Sequence, residues 1–239
     1  MASSKSHQDR IVLVTGASRG IGFATALAFA EAGAHVIALA RTVGGLEELD
    51  DRVAAVGGKC SLIPADLTDE EALSRLPDAL AQRFGRIDAF IANAGVLGDL
   101  TPVTDITPKM WASAFAVNVT ANQRLLAGLD PLLKQSEAGR VVGLTSSRAH
   151  KYVPFWSVYS ATKAAFEALL KVYAEEVAHT NIRVNLVDPG PIATKMRAKA
   201  MPGEDQSTLP QPEELAPLIL SLASAAEERQ AETVRFKET

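Results

Sequence analysis

The stretch of sequence best suited to chemistry is Tyr159-Ser160-Ala161-Thr162-Lys163, in which a phenol stands four residues before an ammonium group. In a helix this spacing puts the first and last side chains on one face, one turn apart. The two could belong to an ordinary amphipathic helix, or be a base and the group that activates it. Because tyrosine and lysine four residues apart occur by chance in many helices, the rest of the sequence has to decide.

A glycine-rich turn lies near the N-terminus, in the segment TGASRGIG at 15–22. It follows a β-branched run at 11–14, typical of a strand, and precedes an Ala- and Leu-rich helical segment at 23–32. Glycine lets a phosphate approach the backbone, and the start of a helix offers free N–H groups and a partial positive charge. The spacing is G-x-x-x-G-x-G rather than the common G-x-G-x-x-G. The segment predicts a pyrophosphate site, with a purely structural turn as the alternative.

The end of the next predicted strand, at 35–40, indicates which dinucleotide would bind. An NAD site has an acidic residue about 20 residues beyond the glycines, which accepts a hydrogen bond from the ribose 2′-OH. Here Ala40 and Arg41 occupy that place. An arginine cannot accept such a bond but pairs well with a 2′-phosphate, and Arg19 could be a second clamp. We therefore expect NADP(H) rather than NAD(H); the alternative for Arg41 is a solvated surface side chain.

Polar or small residues also follow the third and fourth predicted strands. Asp66 comes after the strand at 61–64 and could accept a hydrogen bond from an adenine amino group, or cap a following turn. Asn93, Ala94 and Gly95 follow the strand at 87–91, where small residues leave room for a ribose. In open α/β sheets the ligand crevice lies at the carboxyl ends of the strands, so these residues are expected to share one crevice.

Strand and helix patterns alternate along nearly the whole chain. Beyond the segments already described, we expect strands at 140–145, 182–187 and 233–236, and helices at 46–56, 69–84, 109–129, 158–179 and 213–225. The alternation predicts an α/β fold with a doubly wound, mostly parallel sheet and helices on both faces, in one domain spanning 1–239. The proline-rich segment at 191–212 breaks the pattern and is expected to form a lid with a short helix at 193–200, or else a plain surface insertion.

Composition and charge narrow the class of function. The chain has 239 residues, a net charge of −4 and a pI near 5.6. It contains no block of lysine and arginine, so neither a nucleic acid nor an anionic membrane is expected as a partner. The single cysteine, Cys60, excludes an intrachain disulfide and a cysteine-based metal cluster. The N-terminal residues are polar and lack the apolar core of a signal peptide, so we expect a cytoplasmic protein. Separately, we expect no bound metal.

Taken together, the motifs resemble those of the short-chain dehydrogenase/reductase family in its single-domain form, and the chain is similar to uncharacterised bacterial oxidoreductases of that family. The matching positions, in family order from 11 to about 194, are TGASRGIG at 15–22, Asp66, Asn93-Ala94-Gly95, Asn118, Ser146, Tyr159-x-x-x-Lys163, Pro189-Gly190 and Thr194. The resemblance implies a Rossmann fold and a homo-oligomer, expected to be a dimer through the helices at 109–129 and 158–179.

The resemblance also implies which residues would hold NADP(H). These are Gly16, Ser18, Arg19, Gly20, Ile21, Gly22, Arg41, Asp66, Leu67, Asn93, Ala94, Gly95, Tyr159, Lys163, Pro189, Gly190, Ile192 and Thr194. Pro189 and Gly190 would turn the chain beside the nicotinamide, and Thr194 would bind its carboxamide or the pyrophosphate. Lys163 would hold the hydroxyls of the nicotinamide ribose.

The catalytic residues implied in the same way are Asn118, Ser146, Tyr159 and Lys163. Tyr159 would be the general acid that protonates a carbonyl oxygen, or the base for an alcohol. A free tyrosine has a pKa near 10. A positive charge about 4 Å away, at an effective dielectric of about 20, is worth roughly 4 kcal/mol or about 3 pKa units. We therefore expect Lys163 to bring the pKa of Tyr159 close to neutrality.

The other two implied catalytic residues each have an alternative. Ser146 would hydrogen-bond the substrate oxygen, although the adjacent Ser147 could do so instead. Asn118 lies within the predicted helix at 109–129, where a buried amide is unfavourable unless it has a task. The resemblance implies that it supports a water-mediated proton path to Lys163; the alternative is an asparagine that caps a kink.

The function implied is hydride transfer between a nicotinamide and a carbonyl or secondary alcohol substrate. A non-catalytic NADP-binding or sensing protein on the same fold stays open, as does an epimerase or dehydratase with a retained nicotinamide. Phe155, Trp156, Met196 and Met201 suggest an apolar wall for the substrate pocket. A second set, consisting of Arg148, His150 and Lys151, could meet an anionic group or be solvated.

Overall fold

The computed structural model of the chain describes residues 6–237. Within these residues the strands are β1 Ile11–Thr15, β2 His35–Ala40, β3 Lys59–Pro64, β4 Ala89–Ala92, β5 Arg140–Leu144, β6 Arg183–Asp188 and β7 Thr233–Arg235. The α-helices are α1 Gly20–Glu31, α2 Val43–Ala55, α3 Glu70–Phe84, α4 Pro108–Phe115, α5 Ala121–Lys134, α6 Ser157–Glu176, α7 Lys195–Ala200 and α8 Pro212–Leu222.

The strands form one sheet in the order β3-β2-β1-β4-β5-β6-β7, and every pair of neighbours is parallel. The predicted doubly wound α/β fold is therefore confirmed. The chain runs outward from β1 to β3 and then crosses back to β4, so the strand order reverses between β1 and β4. A crevice opens at such a reversal, at the carboxyl ends of the strands. The glycine-rich turn, Asn93 and Ser146 each follow one of these ends.

The sheet separates two layers of helices. Successive side chains along each strand point to opposite faces of the sheet and contribute to the two cores in turn. In β1, Val12 and Val14 belong to the core under α1, α2 and α8, whereas Leu13 belongs to the core under α3, α5 and α6. All three side chains are completely buried. Burying an aliphatic side chain of this size contributes roughly 1.5–3 kcal/mol, so the position of β1 is fixed from both faces.

The single helix predicted at 109–129 is wrong in one respect. A π-helical turn, Ala116–Thr120, separates α4 from α5, and Asn118 lies within it. The hydrophobic periodicity of the sequence runs through this turn unchanged, which is why it predicts one helix. A π-helical turn adds one residue to the ring closed by each backbone hydrogen bond, and such turns occur often at functional sites.

The C-terminal segment is held to the sheet by side chains of the central strands. The buried guanidinium of Arg140 in β5 donates to the carbonyl oxygens of Ser224, Ala225 and Glu227. The amide of Asn185 in β6 donates to Arg229 O at 2.8 Å and accepts from the N–H of residue 232 at 3.1 Å. These bonds place the chain for β7, which forms at 233–235 as predicted, one residue shorter than expected.

Close contact between α6 and β5 depends on the absence of a side chain at Gly143. A Cβ added there would lie 2.2 Å from Leu170 Cδ1 and 3.0 Å from Phe166 Cζ, and both of those side chains are buried. Gly143→Ala should therefore lower the free energy of unfolding, measured by urea denaturation, by about 1–3 kcal/mol, because the helix has to move.

The matched control for this prediction is Gly203→Ala. Nothing lies within 4 Å of a Cβ added at Gly203, which is exposed. The control should change the free energy of unfolding by no more than about 0.5 kcal/mol. Equal effects of the two substitutions would show that α6 does not depend on a glycine in β5.

Candidate active site

The end of β5 and the start of α6 meet at the centre of the crevice. Tyr159 is 9% exposed and Lys163 7% exposed, one helical turn apart on the side of α6 that faces the sheet. The Lys163 ammonium donates to Leu144 O at 2.6 Å. The Ser146 hydroxyl lies close enough to the Tyr159 phenol to lower its pKa. The structure therefore brings Ser146 to Tyr159, whereas Ser147 lines a separate small cavity.

Burial dominates the protonation of both groups. It raises the pKa of Tyr159 to about 12, with Ser146 acting the other way and the charge of Asp188 adding to the rise. It lowers the pKa of Lys163 to about 8, against an opposing effect of the Glu167 carboxylate. The expectation that Lys163 brings the pKa of Tyr159 towards neutrality is thus wrong for the chain by itself. The loss of water around the phenolate is the largest cause of the shift, and the Lys163 ammonium lies 5.8 Å from the centre of the ring.

Asn118 uses its side chain to hold the loop after β4. Its Oδ1 accepts from the Val96 N–H at 2.8 Å, and its Nδ2 donates to Val96 O and to Thr162 Oγ1, each at 2.9 Å. A Cβ added at Gly95 would lie 3.3 Å from Asn118 Oδ1 and 3.7 Å from Lys163 Nζ, so both groups border this glycine. The residue lies in the π-helical turn, but its amide bonds Val96 and Thr162 rather than capping the helix backbone, and it thereby connects the loop after β4 to α6.

The glycine-rich turn packs against the end of β4. Gly16 and Gly20 have φ angles of +68° and +56°, a region that side chains disfavour. A Cβ added at Gly22 would lie only 2.3 Å from Gly16 O. Asn93 Nδ2 donates to Thr15 O at 2.7 Å, so this amide fixes the turn rather than only leaving space beside it.

The N-terminus of α1 opens on the same turn. The helix starts at Gly20, three residues before its predicted start, and contains no acidic residue in its first turn. Arg19 occupies the N-cap position without making a capping hydrogen bond from its side chain, which is exposed. The first N–H groups of α1 are therefore oriented for an anion, together with a backbone that no Cβ obstructs. These features fit the pyrophosphate of a dinucleotide.

Arg41 and Asp66 lie beside each other at the ends of β2 and β3. Arg41 Nη1 is 3.6 Å from Asp66 Oδ2, and the arginine side chain is 61% exposed. Asp66 Oδ1 also accepts from the N–H and the hydroxyl of Thr68, each at 2.8 Å, which is the turn that the alternative interpretation predicts. These two bonds and Arg41 lower the pKa of Asp66, with the Thr68 N–H as the largest cause. Leu67, between Asp66 and Thr68 in the sequence, is buried.

The loop after β6 reaches back to the glycine-rich turn. Gly190 has a φ of +64°, and its N–H donates to Asp188 Oδ1 at 3.1 Å. Ile192 is buried, and Thr194 caps α7 by accepting from the Arg197 N–H at 3.1 Å. The Thr194 methyl group lies 3.4 Å from the position of a Cβ added at Gly20. The two loops thus close the crevice at its pyrophosphate end.

A small apolar cluster packs around Tyr159. It consists of Leu97, Tyr159 and Ala200, with Leu100 and Trp156 packed against them. Ala200 ends α7, so the predicted lid segment does contact the site. Of the four residues expected to line an apolar wall, only Trp156 belongs to this cluster. The other three are partly exposed to solvent: Phe155, Met196 and Met201.

Two further side chains also build the site, Thr15 of the predicted glycine-rich turn and Glu167, which belongs to no predicted motif. Thr15 Oγ1 donates to Ile91 O and accepts from the N–H groups of Asn93 and Ala94, which joins β1 to β4. Glu167 is buried and accepts from Thr145 and His150. The only available signal for Glu167 was its position one helical turn beyond Lys163, and burial of a carboxylate cannot be inferred from that spacing.

Between residues 6 and 237, no cluster of three or more His, Cys, Asp and Glu side chains could hold a metal ion. Over the same range, every helix is too short or too polar to cross a membrane.

Comparisons with known proteins agree with this geometry. The sequence model of the short chain dehydrogenase family matches residues 10–205. The uncharacterized oxidoreductase YciK of Escherichia coli K12 is 36% identical over 217 residues, which are 90% of this chain and 86% of YciK. Two solved structures, described next, are similar over nearly the whole of both chains.

The first is a short chain dehydrogenase of Shigella flexneri 2a complexed with NADP, with a TM-score of 0.93 and 34% identity over 98% of this chain and 99% of the other. The second, from Escherichia coli CFT073 and complexed with NADPH, has a TM-score of 0.92 and 34% identity over 99% of this chain and 100% of the other. The chain described here belongs to the short-chain dehydrogenase family and is an NAD(P)-dependent oxidoreductase.

Proposed function

We propose that the chain is an NADP-dependent oxidoreductase in which Tyr159 exchanges a proton with a carbonyl or secondary alcohol substrate. The observation that carries this proposal is the meeting of Ser146, Tyr159 and Lys163 at the end of β5, at the edge of the sheet where the glycine-rich turn lies. A sensing protein would need the turn but not a phenol and an ammonium buried side by side.

The residues around the crevice fit a dinucleotide phosphate. The backbone at Gly16, Gly20 and Gly22 and the N-terminus of α1 suit the pyrophosphate, with Ser18 and Ile21 in the same turn. Arg41 and Arg19 are the cations for a 2′-phosphate, and Asp66 and Leu67 border the adenine. The other proposed contacts, for the nicotinamide and its ribose, are Asn93, Ala94, Gly95, Tyr159, Lys163, Pro189, Gly190, Ile192 and Thr194. The NADP and NADPH bound by the two similar structures support this choice.

The chemistry divides between the cofactor and the chain. When bound, NADP(H) supplies or accepts the hydride. The raised pKa of Tyr159, about 12, keeps its phenol protonated at neutral pH, which suits an acid that protonates a carbonyl oxygen. Ser146 donates to the same oxygen and holds it near the phenol. Lys163, whose pKa is about 8, carries its positive charge at neutral pH beside Leu144 O and Asn118, where it can hold ribose hydroxyls.

The surroundings support an apolar substrate that enters beside α7. Leu97, Trp156 and Ala200 form the inner wall, and the partly exposed Met196 and Met201 lie on the lid segment at 191–212. We propose that this segment closes over the substrate.

Assembly and location are also part of the proposal. A groove between α5 and α6, in which Val172 is 58% exposed, offers a surface for a second copy of the chain in a homodimer. A cytoplasmic location fits the composition.

Tyr159→Phe tests the mechanism. It removes the proton donor without changing the shape of the ring, so kcat for NADPH oxidation should fall by about 10²–10⁴-fold. The assay uses a panel of ketones, aldehydes, quinones and β-ketoacyl thioesters, and NADPH affinity is measured separately by fluorescence and should not change. Tyr152→Phe, at an 84% exposed tyrosine, is the matched control and should retain full activity. Full activity of Tyr159→Phe would refute the mechanism, and wild-type binding without turnover would favour the sensor.

Arg41→Gln tests the choice of cofactor. It removes the cation proposed for the 2′-phosphate, so the Kd for NADPH should rise by about 10-fold or more while that for NADH stays the same. Arg41→Asp should go further and favour NADH. Arg52→Gln, at an exposed arginine of α2, is the control. An unchanged ratio of the two Kd values would remove Arg41 from the site.

Lys163→Met tests the cost of the buried ammonium. Burial lowers the pKa of Lys163 from 10.5 to about 8, so the folded chain releases this proton more easily than the unfolded chain. The stability cost is therefore complete below about pH 8 and disappears as the pH approaches the unfolded value. Activity should be lost, and the gain in unfolding free energy over wild type should shrink by about 2 kcal/mol between pH 7 and pH 9.5.

The control is Lys195→Met, at an exposed position of α7, whose effect on stability should be the same at both pH values. A difference between Lys163→Met and wild type that does not depend on pH would contradict the burial of a charged lysine. Denaturation with urea at each pH supplies both measurements.

A further inference from the structure

The end of β5 meets α6 at three successive turns of the helix. Leu144 O accepts from Lys163, the Thr145 hydroxyl donates to Glu167 Oε1 at 2.6 Å, and the Ser146 hydroxyl lies close enough to Tyr159 to lower the pKa of its phenol. The three strand-end residues are consecutive, and their partners are spaced four apart. The proposed mechanism uses two of these pairs. It does not use the pair between Thr145 and Glu167.

Glu167 also binds the loop that follows Ser146. Its second oxygen, Oε2, lies 2.6 Å from His150 Nε2, after the short 3₁₀ turn Ser147–Ala149 has brought the chain back over α6. Glu167 therefore has partners on both sides of Ser146 in the sequence. The carboxylate bonds residues before and after Ser146 in the sequence but makes no hydrogen bond to Ser146 itself.

The environment of Glu167 is unusual for a carboxylate. The residue is 3% exposed. The charged or titratable groups that face it are Lys163, Lys171 and His150, and Lys171 Nζ lies 3.7 Å from Oε2. Burial of an ionised carboxylate costs several kcal/mol unless its oxygens are bonded, and here both oxygens have donors. Its charge also acts on the site directly, since it raises the pKa of Lys163.

We propose that Glu167 is a positioning residue, which fixes Ser146 against Tyr159 by holding Thr145 on one side and His150 on the other. The inference rests on the proposed function, because positioning of Ser146 matters only if Ser146 binds the substrate oxygen. It extends the pair Tyr159 and Lys163 by one helical turn, to a phenol, an ammonium and a carboxylate spaced four residues apart.

Substitutions of Thr145 separate positioning from simple packing. Thr145→Val has nearly the same shape but cannot donate, whereas Thr145→Ser keeps the hydroxyl and loses the methyl group. If the bond to Glu167 matters, Thr145→Val should lower kcat by about 10- to 100-fold while Thr145→Ser stays close to wild type. The Kd for NADPH should be the same in Thr145→Val and Thr145→Ser, because Thr145 is not proposed to contact the cofactor. If Thr145 only fills space, the order of the two variants reverses.

Substitutions of Glu167 test the acceptor of the bonds from Thr145 and His150. Glu167→Ala removes the acceptor of both bonds, so kcat should fall at least as far as in Thr145→Val. Glu167→Gln can still accept from Thr145 and donate to a neutral His150, so it should lose less. Glu175→Gln, at an exposed position of the same helix, is the matched control and should behave as wild type. If Glu167→Ala does not fold, the Thr145 pair still decides.

Hydrogen–deuterium exchange gives a readout that does not depend on turnover. Amide exchange across 144–151 should speed up in Thr145→Val and Glu167→Ala and stay at the wild-type rate in Thr145→Ser and Glu175→Gln. Unchanged exchange in Thr145→Val and Glu167→Ala would contradict the proposal that Glu167 positions Ser146 through Thr145 and His150. If wild type binds NADPH but turns over no substrate, the proposed function fails while the exchange rates still decide whether Glu167 holds this segment.

Discussion

Close packing of α6 on β5 is the constraint on which the rest of the site depends. Gly143 has no side chain, so Phe166 and Leu170 lie directly on the strand, and the start of the helix is brought against the strand end. From that contact follow the bonds to Leu144 and Thr145 and the approach of Ser146 to Tyr159. A wider separation of helix and strand would leave the ammonium of the helix without its carbonyl partner, and the phenol without its serine.

The same packing shifts the pKa values of the two central groups of the site in opposite directions. Removal of water from the α6 face raises the pKa of Tyr159 and lowers that of Lys163, so burial favours the uncharged form of each. The proposed mechanism uses the lysine charge, and the Glu167 carboxylate favours that charge against the effect of burial. For the tyrosine, Ser146 and the charge of Arg148 offset only part of the effect of burial, so its phenol stays protonated at neutral pH. A positive charge beside the phenol would be needed for the reverse direction, and an oxidised nicotinamide carries one.

Much of the fold and the gathering of the site could be predicted from the sequence, because both depend on local patterns. Alternation predicts the parallel sheet, and parallel strands bring their carboxyl ends to one edge, which places the glycine-rich turn, Asn93, Ser146 and Tyr159 in one crevice. The π-helical turn at Asn118 could not be predicted, because hydrophobic periodicity is the same on both sides of it.

Other features depend on tertiary burial, which no spacing reports. The sequence gives the distance between Tyr159 and Lys163 along a helix but not the loss of water around them, so the predicted direction of the tyrosine pKa was wrong. Glu167 reads as a surface residue of a helix until the loop carrying His150 is seen to cover it. Arg41 was placed correctly at the end of β2, but its ion pair with Asp66 needs the register between two strands.

The guanidinium of Arg140 has a consequence for the order in which the protein is made. Its acceptors at 224, 225 and 227 leave the ribosome more than eighty residues after the arginine itself. Until then the cation at the start of β5 has lost only part of its water, because the interior cannot close around it without those carbonyl oxygens. The strand that carries Ser146 at its end therefore reaches its final surroundings only after the segment at 224–227 has been made and has packed against Arg140.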